Sequence, residues 1–137
     1  MHTTATTTYN PIVPLVGRIL IAAIFLIAGA GKVMKFAGTA AYLTKLGFPA
    51  PEVVTVIAII IEVGGSILLI VGWRTRWVAW LLALFVLIAA FAAHRFWEFD
   101  AAQYANQMNH FLKNLAIIGG LLFVASFGPG SASADKA

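Results

Sequence analysis

The chain has no cysteine, which excludes disulfides, thiolate catalysis and Cys-ligated zinc or iron–sulfur sites within its 137 residues. Charge is also scarce. Asp, Glu, Lys and Arg make up 10% of the residues, against about 25% in a soluble domain. Nine cations and five acids cannot wet a protein that is 61% hydrophobic, so much of its apolar surface must face something other than water. These scarcities argue against a disordered chain, a disulfide-rich secreted module and a nucleic-acid reader. The pI of about 9.8 rests on a net charge of only +4, which bears on membrane orientation and anionic headgroups more than on nucleic acid.

What the chain does have is long apolar runs. Four of them, at 14–34, 53–73, 77–93 and 111–127, are each near the ~17–25 residues needed to cross about 30 Å of hydrocarbon. The expected fold is all-α, a polytopic membrane protein built as a four-helix transmembrane bundle. Residues 14–127 form its single domain, between a flexible N-terminal segment (1–13) and a flexible tail (128–137). The Thr-rich start lacks the basic region of a secretory signal, so the first run is read as a retained helix. Connections 35–52 and 95–109 read as interfacial pieces, the first a short amphipathic stretch broken at Gly47-Phe48-Pro49-Ala50-Pro51.

The turn Trp73-Arg74-Thr75-Arg76-Trp77 holds two arginines and no acid, which predicts a cytoplasmic turn and, with four spans, cytoplasmic termini. Arg18 and Lys136 agree with that orientation; Lys32, Lys35, Lys45, Arg95 and Lys113 count against it. In this topology the awkward polar groups gather in the outer half of the bundle, leaving the inner half apolar apart from Arg18 and an aromatic belt.

Glu62 lies in the middle of the second run, roughly 13 Å deep at 1.5 Å per residue. A carboxylate there must be paired or protonated. It reads either as a proton-carrying or ligand-binding acid, or as a structural partner of Lys32 tying two helices together. Lys32 follows Gly29 and Gly31, small residues that admit a neighbouring helix, and reads as a snorkelling lysine or as a pocket cation. His110 and Asn114 are four apart, hence on one helix face, with Lys113 beside them. His94 sits where Arg95, Phe96 and Trp97 mark the water boundary. Paired histidines can ligate haem or metal, but these two lie at the rim, so haem is disfavoured and no metal site is expected. No phosphate loop, HExxH helix or Ser-His-Asp arrangement is present.

A set of short pieces, in order, resembles the DoxX family of small bacterial four-helix membrane proteins. They are Arg18, Ala28-Gly29-Ala30-Gly31-Lys32-Val33, Leu46-Gly47-Phe48-Pro49, Ile61-Glu62-Val63-Gly64-Gly65, Gly72-Trp73-Arg74-Thr75-Arg76, Asn114 and Gly128-Pro129-Gly130. The resemblance implies a multi-pass protein of the bacterial cytoplasmic (inner) membrane, tied to redox systems and quinones. The chain carries no redox centre of its own, so the expectation is a quinone-binding module or a subunit of a quinone-linked oxidoreductase rather than a complete enzyme. Lys32, Glu62, His110 and Asn114 are the expected ligand-binding residues, with Glu62 the candidate proton carrier. The expected partners are the lipid bilayer, a quinone, and a redox enzyme subunit or a second copy of the chain. The alternative is an assembly subunit that recruits a partner enzyme and uses Lys32–Glu62 as a structural ion pair.

Overall fold

A computed structural model describes residues 9–135. Residues 1–8 of the expected flexible N-terminal segment, and 136–137 of the tail, lie outside the described residues. Helix α1 spans Ile12–Met34, with Ile12 N–H donating to Asn10 Oδ1 at 2.9 Å and Pro14 in the first turn, where its missing N–H costs no bond. The backbone turns at Lys35 into α2, Phe36–Lys45. Gly47, at φ +86°, and Pro49 end that helix.

Helix α3 spans Pro51–Val71, entered through Pro51 in its first turn. It is not uniform: Ile60–Gly64 form a π-helical turn, with Glu62 at its centre. Gly72, at φ +75°, closes α3 by placing its own N–H and that of Trp73 on the Leu68 carbonyl, at 2.8 and 3.1 Å. Helix α4 follows at once, Thr75–Ala93. A 3₁₀ turn at Phe96–Glu98 leads to α5, Ala101–Phe127, whose first N–H groups are capped by the Asp100 carboxylate (Gln103 N at 3.0 Å).

The chain is therefore all-helical among the described residues, and four helices, α1, α3, α4 and α5, are long and apolar enough to cross a membrane. Their packing follows from side-chain size. Ala22, Ala79, Ala83 and Ala125 let the helices approach, and Phe25, Leu69, Leu82, Val86 and Leu121 fill the space between them. Large apolar residues instead cover the outside: Ile27, Trp77 and Phe127 are each about three-quarters exposed. In water that surface would aggregate; in a bilayer it is the lipid-facing side.

One boundary differs from the sequence reading by ten residues. The fourth apolar run begins at Phe111, but α5 begins at Ala101, and the polar stretch through Gln103, Asn106 and Gln107 is continuous with the span. Twenty-seven residues make a helix of about 40 Å, longer than the hydrocarbon layer, so the first turns stand at headgroup level. Hydropathy marks where lipid contact stops. It does not mark where a helix stops, and no breaker falls between Asp100 and Phe111.

Candidate functional site

Lys32 and Glu62 meet between α1 and α3. Lys32 Nζ lies 3.0 Å from Glu62 Oε1 in hydrogen-bonding geometry, and 2.9 Å from Oε2 without it, so Oε2 is buried with no hydrogen bond. The carboxylate is 4% exposed, whereas Lys32 keeps about a quarter of its side chain accessible. Two local features bring the pair together. Gly29 is pressed against α3: a Cβ there would fall 2.7 Å from Val63 Cγ2 and 3.1 Å from Glu62 Cβ. The π-turn widens α3 at Glu62 itself, a distortion common where a helix carries a functional side chain.

Behind the carboxylate is a small cavity of about 200 Å³, lined by Ile24, Phe25 and Ala28 of α1, Glu62 of α3, Val86 of α4, His94 just beyond α4, and Asn114 and Ile117 of α5. Two of the four expected site residues, Glu62 and Asn114, thus line the cavity; Lys32 does not line it and is joined to it only through its ion pair with Glu62. His110 stands one step back. Its ring stacks on that of His94 (centroids 4.9 Å apart, planes at 24°), and its Nδ1 is 3.2 Å from Lys113 Nζ. Stacked face to face, the two imidazoles do not converge on a common point. Among the described residues no group of three His, Cys, Asp or Glu side chains is placed to hold a metal ion.

Neither His94 nor Gln107 is among the expected ligand-binding residues. His94 looks like a boundary residue, yet it lines the cavity, held by a 2.8 Å contact between its Nδ1 and Gln107 Oε1. A signal for this was present. Residues 107, 110 and 114 follow the i, i+3, i+7 spacing of one helix face, which becomes visible once α5 is extended back past Phe111.

The other end of the bundle is not plain hydrocarbon. Arg18 is 1% exposed, and its Nη1 donates to the carbonyls of Leu69 and Ile70 at 3.0 and 2.9 Å, while Nη2 donates to that of Ala132. Its Nε has no partner among the described residues. The segment expected to fray is, over 128–135, laid across the α3–α4 turn. Ala134 and Asp135 donate their N–H groups to the carbonyls of Val71 and Gly72, at 3.0 and 2.7 Å. The Asp135 carboxylate accepts from the N–H groups of Arg74 and Thr75, at 2.7 and 2.8 Å. The tail supplies acceptors and donors for a helix end that composition alone shows as small and polar.

Asp135 titrates accordingly. Partial burial works to raise its carboxyl, but the Thr75 and Arg74 N–H groups and the Arg74 charge outweigh this and hold it below the usual carboxylate range. The Thr75 hydroxyl is close enough to add to that pull but makes no aligned hydrogen bond, leaving Oγ1 buried and unpartnered. Beside this strap is a second and larger cavity, about 1030 Å³, between the ends of α1 and α5.

Comparison with known proteins agrees with this architecture. The DoxX family profile matches residues 13–95. Inner membrane protein YphA of Escherichia coli (strain K12) is 36% identical over 127 residues, covering 93% of this chain and 91% of that protein. Inner membrane protein YqjF of the same organism is 38% identical over 122 residues, 89% of this chain and 88% of its own. No solved structure matches the chain.

Proposed function

The chain belongs to the DoxX family, and on that premise we propose that it is an inner-membrane binding module for a quinone-type head group, held at the Glu62 cavity. The observation that carries this reading is the convergence of Glu62, His94 and Asn114 from three different parts of the bundle onto one cavity, with Lys32 paired to the acid. The polar set suits a quinone. A ring carbonyl needs an N–H donor, which the Asn114 amide supplies; His94, whose Nδ1 donates to Gln107 Oε1, offers Nε2 as an acceptor in its neutral form. Glu62 Oε2, buried and ion-paired to Lys32 Nζ at 2.9 Å without an aligned hydrogen bond, keeps an acceptor position for a hydroxyl on the reduced form. A bound quinone would supply the redox chemistry; the chain's part is to orient the ring, exclude water and let Glu62 hold or release a proton at Oε2. At about 200 Å³ the cavity suits a ring and not its isoprenoid tail, which is left to the lipid.

One observation favours a second reading, an assembly subunit in which the pair is structural: Gly29 is packed so tightly on Val63 that Lys32–Glu62 also ties α1 to α3. Titration of a short-chain ubiquinone or menaquinone analogue into protein in nanodiscs separates the two. Saturable binding lost in both Glu62→Gln and Lys32→Met supports the module. Binding that is absent, or equal in the variants, overturns it. Recovery of stability by the charge swap Lys32→Glu with Glu62→Lys then favours the assembly role.

For topology, the Arg74–Arg76 turn supports cytoplasmic termini. The absence of cysteine gives single-cysteine labelling no background: a probe at Trp73 should react from the cytoplasmic side and one at Lys45 from the other.

A further inference from the structure

We propose that the cavity at the Arg18 end binds one anionic phospholipid, with its phosphate among Arg18, Arg74 and Arg76 and an acyl chain in the cleft between α1 and α5. This site is independent of the Glu62 cavity, which lies at the other end of the bundle.

Charge is the first argument. Among the described residues, Arg18, Arg74 and Arg76 line the cavity against a single acid, Asp135, leaving a net +2. The Asp135 carboxylate is already engaged by the N–H groups of Arg74 and Thr75, so it stays on the helix end. A phosphate completes what the chain leaves open. Arg18 Nε is buried without a partner among the described residues, and Arg18 lines this cavity. Buried donors left unmade cost stability unless something answers them, and guanidinium groups match phosphate oxygens in geometry as well as charge.

Shape argues for a lipid rather than a free anion. The cavity is at the upper end of the volumes typical of ligand sites, and much of its wall is apolar, including Ile21, Phe123 and Phe127. Gly17 opens the cleft, since a Cβ there would meet nothing within 4 Å, while Gly120 brings α5 against Ile21 of α1. Depth agrees. Trp73 and Trp77 are exposed beside the arginines, and indole rings settle at headgroup level, which puts the guanidinium groups at the height of lipid phosphates.

Native mass spectrometry of the full chain, with dioleoyl phosphatidylglycerol and dioleoyl phosphatidylcholine as probes, tests this. The phosphatidylglycerol should bind at one site at least tenfold more tightly, with a preference that weakens as salt rises. Gly17→Leu fills the cleft and should remove that site while circular dichroism stays unchanged. Arg74→Gln should lower the preference several-fold. A second measurement needs no folded variant of the charged groups: phosphatidylglycerol with brominated chains should quench tryptophan fluorescence more than brominated phosphatidylcholine, and Trp77→Phe should remove most of the difference. Equal binding of the two lipids, or a preference unchanged in both Gly17→Leu and Arg74→Gln, overturns the proposal. Displacement of the lipid by inorganic phosphate alone also overturns it, in favour of a free-anion site.

Discussion

Gly29→Val is the sharpest test of how the Lys32–Glu62 pair is held. The new Cβ would stand 2.7 Å from Val63 Cγ2, whereas carbon atoms in contact sit at about 3.5–4.0 Å. Relieving that overlap moves α1 and α3 apart by about 0.8 Å, taking ~3.5 Å as the nearer limit. The same displacement carries the two Lys32–Glu62 separations, now 2.9 and 3.0 Å, to roughly 3.7–3.8 Å, beyond hydrogen-bonding range. Overpacking costs about 1–3 kcal/mol and a weakened charged hydrogen bond about 1.5–3 more. A net loss of about 3 kcal/mol is expected, after the modest gain from replacing a helical glycine. Gly31→Val is the control, because a Cβ at Gly31 meets nothing within 4 Å; its effect should stay within about 0.5 kcal/mol. Adding Val63→Ala to Gly29→Val removes the nearest atom and should regain about 1 kcal/mol or more. Denaturant unfolding in micelles, followed by tryptophan fluorescence, reads the wild type, the three single variants and the double. Equal effects at Gly29 and Gly31, or strict additivity of Gly29→Val and Val63→Ala, would refute the close-approach argument.

Lys32→Met leaves a buried carboxylate alone and should destabilise by about 3–5 kcal/mol in the same assay, and Lys32→Met with Glu62→Leu should recover most of that. Arg18→Met strips partners from the carbonyls of Leu69, Ile70 and Ala132; a loss of about 2–4 kcal/mol is expected, with faster protease release of the tail. Asp135→Ala removes the acceptor for the Arg74 and Thr75 N–H groups and should cost about 1 kcal/mol. Asp135 also fixes a pH dependence. A carboxyl held below its ordinary value stabilises fully above the ordinary carboxylate range and loses that contribution as pH falls through its lowered value. A thermal-unfolding profile should therefore drop at acid pH by more in the wild type than in Asp135→Ala.

The spans were legible because apolar length is a one-dimensional property: each run needed only to be counted. The Lys32–Glu62 pair was legible for a related reason, since a lone acid deep in hydrocarbon demands a partner and few cations are within reach. What escaped were contacts made by shape and by return of the chain. His94 looks like any interfacial histidine until α5 is carried back to Ala101 and Gln107 comes beside it. The tail's role could not be read from Ser131-Ala132-Ser133-Ala134-Asp135, because its partners are main-chain groups some sixty positions away, at Val71, Gly72, Arg74 and Thr75. The second cavity was invisible for the same reason: Arg18 and Arg76 count only towards membrane orientation until their side chains are found bonded to carbonyls inside the protein.

The wide turn at Ile60–Gly64 gives α3 one place where its length can change. It behaves as one residue inserted into an otherwise regular helix and taken up within the turn. Deleting a single residue from it would restore regular winding and leave the stretches on either side close to their present phase. Adding a further residue to the regular winding would instead swing one side by about 100° relative to the other. Thr55 and Ala58, now turned inward before the turn, could then no longer share a face with Leu69 after it. A one-residue deletion within Ile60–Gly64 should consequently be far better tolerated than a one-residue insertion elsewhere between Pro51 and Gly72.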